Sequence, residues 1–235
     1  HCGTDLAGVR CRATRNGTGE DSHYGVNGQK IYTTNAQVAT HVFLLVRTDP
    51  ESKRHAGLSI LLVPMDTPGI TVRPLLTWQN NPGGPAGTTY GEERTNEVCC
   101  DDVKVPVSCL LGEEGDGWAV SQRGLNLDRV GAWRYLISVK RDEDIVNWLK
   151  SDDVRAAPLR SDASVRDKVA ELWIEGQVCR LMTMRSMTIE QRGQAFSYEG
   201  AAEKVWAPEH GVRTTEAIGQ ILGPHAQLLN GSPDN

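Results

Sequence analysis

The sequence predicts an α+β, multi-domain chain, with a β-barrel-like domain over residues 1–111 followed by an antiparallel helical bundle over residues 112–235. Three observations predict it. Short β-prone runs separated by turn residues fill the first half, and apolar residues recur at spacings of three and four in the second. The character of the chain changes near residue 110, where "EVCCDDVKVP" (97–106) gives way to the helical pattern.

Within the first half each element has its own reason. In "HYGVNGQKIYTT" (23–34), Asn27-Gly28 stands between two β-prone runs and predicts a hairpin, because both central residues of a type I′ turn need positive φ. "HVFLLVRT" (41–48) and "GLSILLVPM" (57–65) are apolar enough for two core strands, joined by the polar "DPESKRHAG". "EVCCDDVKVP" reads as a further strand with a polar turn. "TWQNNPGGPAGTTYGEER" (77–94) is crowded with Gly, Pro and Asn, which predicts an exposed loop.

In the second half, "GLNLDRVGAW" (124–133) reads as the start of a helix that carries an acid, Asp128. Val130, Trp133 and Ile137 form one stripe, and Val165, Val169, Leu172, Gly176, Cys179 and Met182 another, so each helix buries one face against its neighbours. "KSDDVRAAPLRSD" (150–162), with Pro158, links these two helices. A third helix over 197–223 stops at Gly223-Pro224, with Pro208 and Gly211 predicting a kink or interruption.

Composition narrows the function. The 235 residues carry a net charge of −5 with no long Lys/Arg run, which argues against nucleic acid and polybasic membrane patches as partners. No apolar run approaches the roughly 18 residues of a membrane span. There is no charged-then-apolar leader either, so a cytoplasmic location is expected. Six cysteines (Cys2, Cys11, Cys99, Cys100, Cys109 and Cys179) lack metal-ligand spacing, so no metal is expected and the thiols read as buried or incidental. His1, His41, His55 and His210 have no convergent partners in the sequence and read as surface residues. The chain begins "HCGTD" and ends "NGSPDN", which reads as a piece of a longer protein. The dinucleotide, P-loop, zinc-protease and nucleophile-elbow signatures are all missing.

A set of blocks carries more. "GTDLAG" (3–8), "NGQKIYTTNA" (27–36), "FLLVRTDP" (43–50), "LVPMDTPGITVRP" (62–74), "NEVCCDDVKVPVSCLLGEEGDGW" (96–118) and "LNLDR" (125–129) resemble an acyl-CoA dehydrogenase in order and spacing. The long loop and the "RAAPLRSD" segment resemble the branch acting on steroid side chains or other bulky acyl groups. The resemblance implies a further helical domain before this chain and more helix and loop after it. It also implies FAD-dependent conversion of an acyl-CoA to a trans-2-enoyl-CoA, the chemistry of fatty-acid β-oxidation. In the family a carboxylate takes the α-proton and the β-hydride passes to flavin N5. Electron-transfer flavoprotein then accepts the electrons, and the assembly is a homo- or heterotetramer.

Site residues follow by the same resemblance. Tyr32, Thr33 and Thr34 match the strand that packs on the flavin ring, and Gln220 and Gly223 match the turn that reaches the adenine half of FAD. Pro224 stands where the family has a second glycine. Thr4, Asn126 and Arg129 match substrate-binding positions, and Asp128 matches the catalytic glutamate of some branches. Aspartate is one methylene shorter, about 1.5 Å of reach. Two other readings share the resemblance: a non-catalytic partner subunit of a heteromeric dehydrogenase, and a flavin oxidase or monooxygenase on the same fold.

Overall fold

The structure is a computed structural model describing residues 5–52, 54–75, 77 and 94–227. Thr4 and nearly all of the predicted glycine-rich loop lie outside the described residues. The chain divides into two compact units, His1–Arg123 and Gly124–Asn235.

The first unit is built on one mixed sheet. Its strands are β1 (Arg12–Asn16), β2 (His23–Thr34), β3 (His41–Arg47), β4 (Leu58–Pro64), β5 (Ile70–Pro74), β6 (Thr95–Pro106) and β7 (Leu110–Leu111). They lie in the order β5-β6-β2-β1-β3-β4-β7, so the sheet has two free ends and is not closed. All pairs are antiparallel except β1 with β3, which meet in parallel at Arg12 and Arg47. The apolar runs around Leu44 and Leu61 pair residue for residue. Leu44, Leu45, Val46, Leu58, Ile60, Leu61 and Val63 are buried together with Tyr24, Val26 and Val103 in the core of the unit, while Phe43 and Leu62 face outward.

No hairpin forms at Asn27-Gly28. β2 runs straight through, pairing with β1 on one side and β6 on the other, and its register with β6 shifts between Val26 and Gly28. The positive φ of Gly28, 140°, serves a bulge rather than a turn. Asn27 clamps that bulge to β6. Its Nδ2 donates to Asp102 Oδ1 at 2.7 Å, and the Asp102 backbone N–H donates back to Asn27 Oδ1 at 2.9 Å.

Helix α1 (Gly117–Arg129) spans the division between the units. The second unit continues with α2 (Ala132–Lys150), α3 (Ala156–Arg160), α4 (Ala163–Gln191) and α5 (Glu199–Leu222). Helix α2 packs against α4 and α5, and α4 against α5. Asp162 caps α4 by accepting from the Ser164 and Val165 amides at 2.8 and 3.3 Å. The linker containing Pro158 holds the short helix α3. Helix α5 is not interrupted: Pro208 lies inside it on an exposed side, where water can serve the carbonyl that loses its helical donor. Gly223, at φ 57°, ends the helix as its spacing predicts.

Two stripes differ from expectation. "GLNLDRVGAW" holds the end of α1 and the start of α2, with Gly131 as the cap between them. The Val130, Trp133, Ile137 stripe is therefore broken, and Trp133 is 54% exposed. On α4 the buried face runs through Val165, Leu172, Gly176, Cys179, Thr183 and Ser186, so it turns polar where the sequence offered Met182. The facing stripe of α5 is Gly200, Glu203, Ala207, His210, Thr214, Ala217 and Ile221. Apolar packing concentrates at one end of the unit, around Ile145, Leu149, Val165 and Ile221.

Candidate functional site

The end of β2 departs from regular pairing. Its register with β6 shifts again between Lys30 and Thr33, and Tyr32 takes φ 61°, unusual for an aromatic residue. The bulge leaves Tyr32 66% exposed at the end of a strand whose start is core. Behind it, buried Asn96 donates from Nδ2 to the Thr33 carbonyl at 3.4 Å and to Gln37 Oε1 at 2.8 Å. The Asn35 amide donates to the Arg94 carbonyl at 2.7 Å. An aromatic face held outward, followed by two hydroxyls, suits a flat ring with a polar edge.

Arg47 is a residue that sequence reasoning missed. It sits in the "FLLVRTDP" block, but its role depends on partners far along the chain. Its guanidinium donates to the carbonyls of Ala7, Val9, Ser52, Arg54 and Ala56 at 2.8 to 3.3 Å. One side chain thus ties the segment after Thr4 to the loop between β3 and β4. Arg10, Arg12, Arg47 and Arg54 line a cleft of about 500 Å³ with Asp5. Arg47 has its N–H groups on those carbonyls, so it is Arg10, Arg12 and Arg54 that could meet a phosphate or carboxylate there.

Asn126, Asp128 and Arg129 share the last turn of α1. Arg129 Nη1 donates to Asn126 Oδ1 at 3.4 Å, so these two lie on one face, and both are half-buried. Asp128 is exposed. Gly200 of α5 backs this turn; a methyl group there would lie 3.4 Å from Arg129 Cβ and 3.5 Å from Val130 Cγ2. A carboxylate at a helix C-terminus faces the negative end of the macrodipole, so helix stability does not account for an acid at this position.

Gln220 lies near the end of α5, where its Oε1 accepts from Lys168 Nζ of α4. The same cleft contains Glu171, Glu175, Arg213 and Glu216. Gly223 caps the helix. Among the described residues, no group of three or more His, Cys, Asp or Glu side chains is arranged to hold a metal ion. No helix among them is long and apolar enough to cross a membrane.

His210 is not a surface residue. It is fully buried, with Nδ1 3.0 Å from Glu175 Oε2 and Nε2 3.2 Å from Asp142 Oδ2. Its partners stand 35 and 68 residues away, beyond the reach of any local pattern. His55 stacks on Trp118, with ring centroids 4.0 Å apart. The cysteines among the described residues are free thiols.

Comparison with known proteins adds to this geometry. The model of the acyl-CoA dehydrogenase middle domain matches residues 1–92, and that of the C-terminal domain matches residues 115–233. Acyl-CoA dehydrogenase IpdE1 of Mycolicibacterium smegmatis is 32% identical over 218 residues, covering 89% of this chain and 50% of that protein. Butyryl-CoA dehydrogenase from Megasphaera elsdenii superposes with a TM-score of 0.83 at 28% identity, covering 96% of this chain and 56% of its own. A steroid acyl-CoA dehydrogenase, Tcur3481-Tcur3483, gives 0.80 at 26% identity, covering 98% of this chain and 55% of its own. The chain spans about half the length of these relatives. Members of the family are FAD flavoproteins and oxidoreductases. On the match of both domain models, this chain belongs to the acyl-CoA dehydrogenase family.

Proposed function

We propose that the chain is the middle and C-terminal part, residues 1–111 and 112–235, of an FAD-dependent enzyme that converts an acyl-CoA thioester to a trans-2-enoyl-CoA. The observation that carries this reading is Asp128, an exposed carboxylate set against the helix dipole beside the Asn126–Arg129 pair. Asp128 takes the α-proton of the thioester. Asn126, Arg129 and Thr4 take the CoA-binding roles that the family resemblance assigns them.

The residues present fit FAD. Tyr32 offers a flat, outward face and Thr33 and Thr34 offer hydroxyls to a ring edge. Gln220 and Gly223 meet the adenine half from a neighbouring protomer, with the Gln220 amide released from Lys168. When bound, FAD supplies the acceptor for the β-hydride. Electrons then leave to electron-transfer flavoprotein, and the assembly is a homo- or heterotetramer acting on a bulky acyl group such as a steroid side chain.

A second reading, a non-catalytic partner subunit, draws on the shorter aspartate and on the similar two-protein steroid acyl-CoA dehydrogenase Tcur3481-Tcur3483. One experiment separates the readings. The protein purified with FAD is mixed anaerobically with a panel of straight-chain, branched and steroid side-chain acyl-CoAs. Loss of flavin absorbance with one class supports the dehydrogenase, and unchanged absorbance across the panel counts against it. Continuous oxygen consumption without an added acceptor would instead mark an oxidase.

A further inference from the structure

The helical unit contains a buried charged cluster that the proposed reaction does not use. His210 of α5 lies between Asp142 of α2 and Glu175 of α4, one carboxylate on each ring nitrogen. A neutral imidazole has one N–H and one lone pair, so it can satisfy only one of two opposed carboxylates. The other would face a lone pair: Glu175 is 18% exposed and has Arg213 at 2.8 Å, whereas Asp142 is closed off from water, with the Thr214 hydroxyl 3.5 Å from Nε2. Asp142 is 2% exposed, and its second oxygen, Oδ1, has no hydrogen-bond partner among the described residues. Its charge therefore depends on His210 for compensation. Gly176 of α4 makes room for it, since any side chain there would run into the Asp142 carboxylate.

We propose that Asp142, His210 and Glu175 form an electrostatic latch, in which an imidazole carrying both ring protons ties α2 and α4 to α5 and loosens them when it loses one. Other charges around the latch come from all three helices. Arg141 of α2 reaches toward Gly211, with Nη1 3.3 Å from where a Cβ would stand. Arg213 of α5 donates to Glu175 Oε2 at 2.8 Å and lies 3.8 Å from Glu209. Glu203, earlier on α5, accepts from Thr183 at 2.7 Å. Lys168 and Glu171 of α4 line the cleft beyond Glu175, and the Cys179 thiol lies further along the same buried face.

The electrostatic balance agrees in direction. Burial opposes the charged imidazole most strongly, yet the hydrogen bonds and charges of Asp142 and Glu175 together raise its pKa above the ordinary 6.5. The latch is therefore closed below about pH 6.5 and its contribution is lost as pH rises through the raised value. This inference does not rest on the dehydrogenase reading.

The test is a nitrogen-15 histidine titration of the 235-residue chain by NMR, with His210→Gln assigning the signal, alongside thermal melting over about pH 5.5 to 9. His210 is expected to keep both ring protons at pH values above its ordinary 6.5, and Asp142→Asn to weaken its proton affinity about tenfold. The wild-type melting temperature should fall with rising pH more steeply than that of Asp142→Asn or His210→Gln. A His210 that is already neutral at about pH 6.5 overturns the proposal. So does a melting profile whose pH slope is the same in the wild type, Asp142→Asn and Glu175→Gln, two variants that keep the comparison valid if His210→Gln does not fold.

Discussion

Gly28 of β2 lies close against Cys11, the residue just before β1: a Cβ on Gly28 would stand 2.8 Å from the Cys11 Cα and 3.1 Å from its Sγ. Gly28 also holds φ 140°, which an L side chain rarely adopts. Gly28→Ala should therefore cost about 1–3 kcal/mol by overpacking. Gly19→Ala, at positive φ but with open space around it, should cost only the conformational part, about 1–2 kcal/mol. Denaturant midpoints of the two variants check the order.

Arg47 holds main-chain carbonyls from two separate segments, a fork that lysine cannot reproduce. Arg47→Lys should lose about 2–3 kcal/mol, the scale of charge-assisted hydrogen bonds left unmade. Limited proteolysis is expected to cut first near residues 7–9 and 52–56, and cleavage that begins elsewhere would argue against this role.

Acid should weaken the start of α5. Glu199 accepts from the Ser197 and Tyr198 amides at 3.0 and 3.2 Å. Its own backbone N–H first, then that of Ser197, holds its carboxyl down to about 2 from 4.5. Since the folded value is the lower one, this contribution is present above about pH 4.5 and is lost as pH falls through 2. Circular dichroism of Glu199→Gln should show a flatter acid limb than the wild type.

Tyr32 is expected to matter for flavin and little for folding, because it is exposed on a bulge. Tyr32→Ala should weaken FAD binding about tenfold, the scale of one aromatic stacking contact, while Tyr32→Trp retains it. Fluorescence titration with FAD gives the comparison, with the melting temperature as control.

Much of the fold is legible in the sequence where local pattern decides it. The apolar runs of β3 and β4, the strand β6 and the glycine stop of α5 follow from period, composition and backbone freedom. What the pattern misreads depends on distant partners. Asn27-Gly28 carries a turn signal, but pairing on both edges of β2 keeps the strand continuous and turns the same positive φ into a bulge. His210 looks solitary because Asp142 and Glu175 arrive from other helices. The break at Val130 and Gly131 hides inside a helical spacing, so Asp128 stands at a helix end rather than a helix start. Candidate site residues came from the order of blocks, and Arg47, inside one of them, shows its role only through five carbonyls it reaches in space.

The central claim is that Asp128 takes the α-proton, and the rate of anaerobic flavin bleaching by a competent acyl-CoA tests it most directly. Asp128→Asn should slow that rate by on the order of a hundredfold or more, the loss expected for a general base, while Asp128→Glu retains it. An Asp128→Asn protein that bleaches at the wild-type rate would contradict the account.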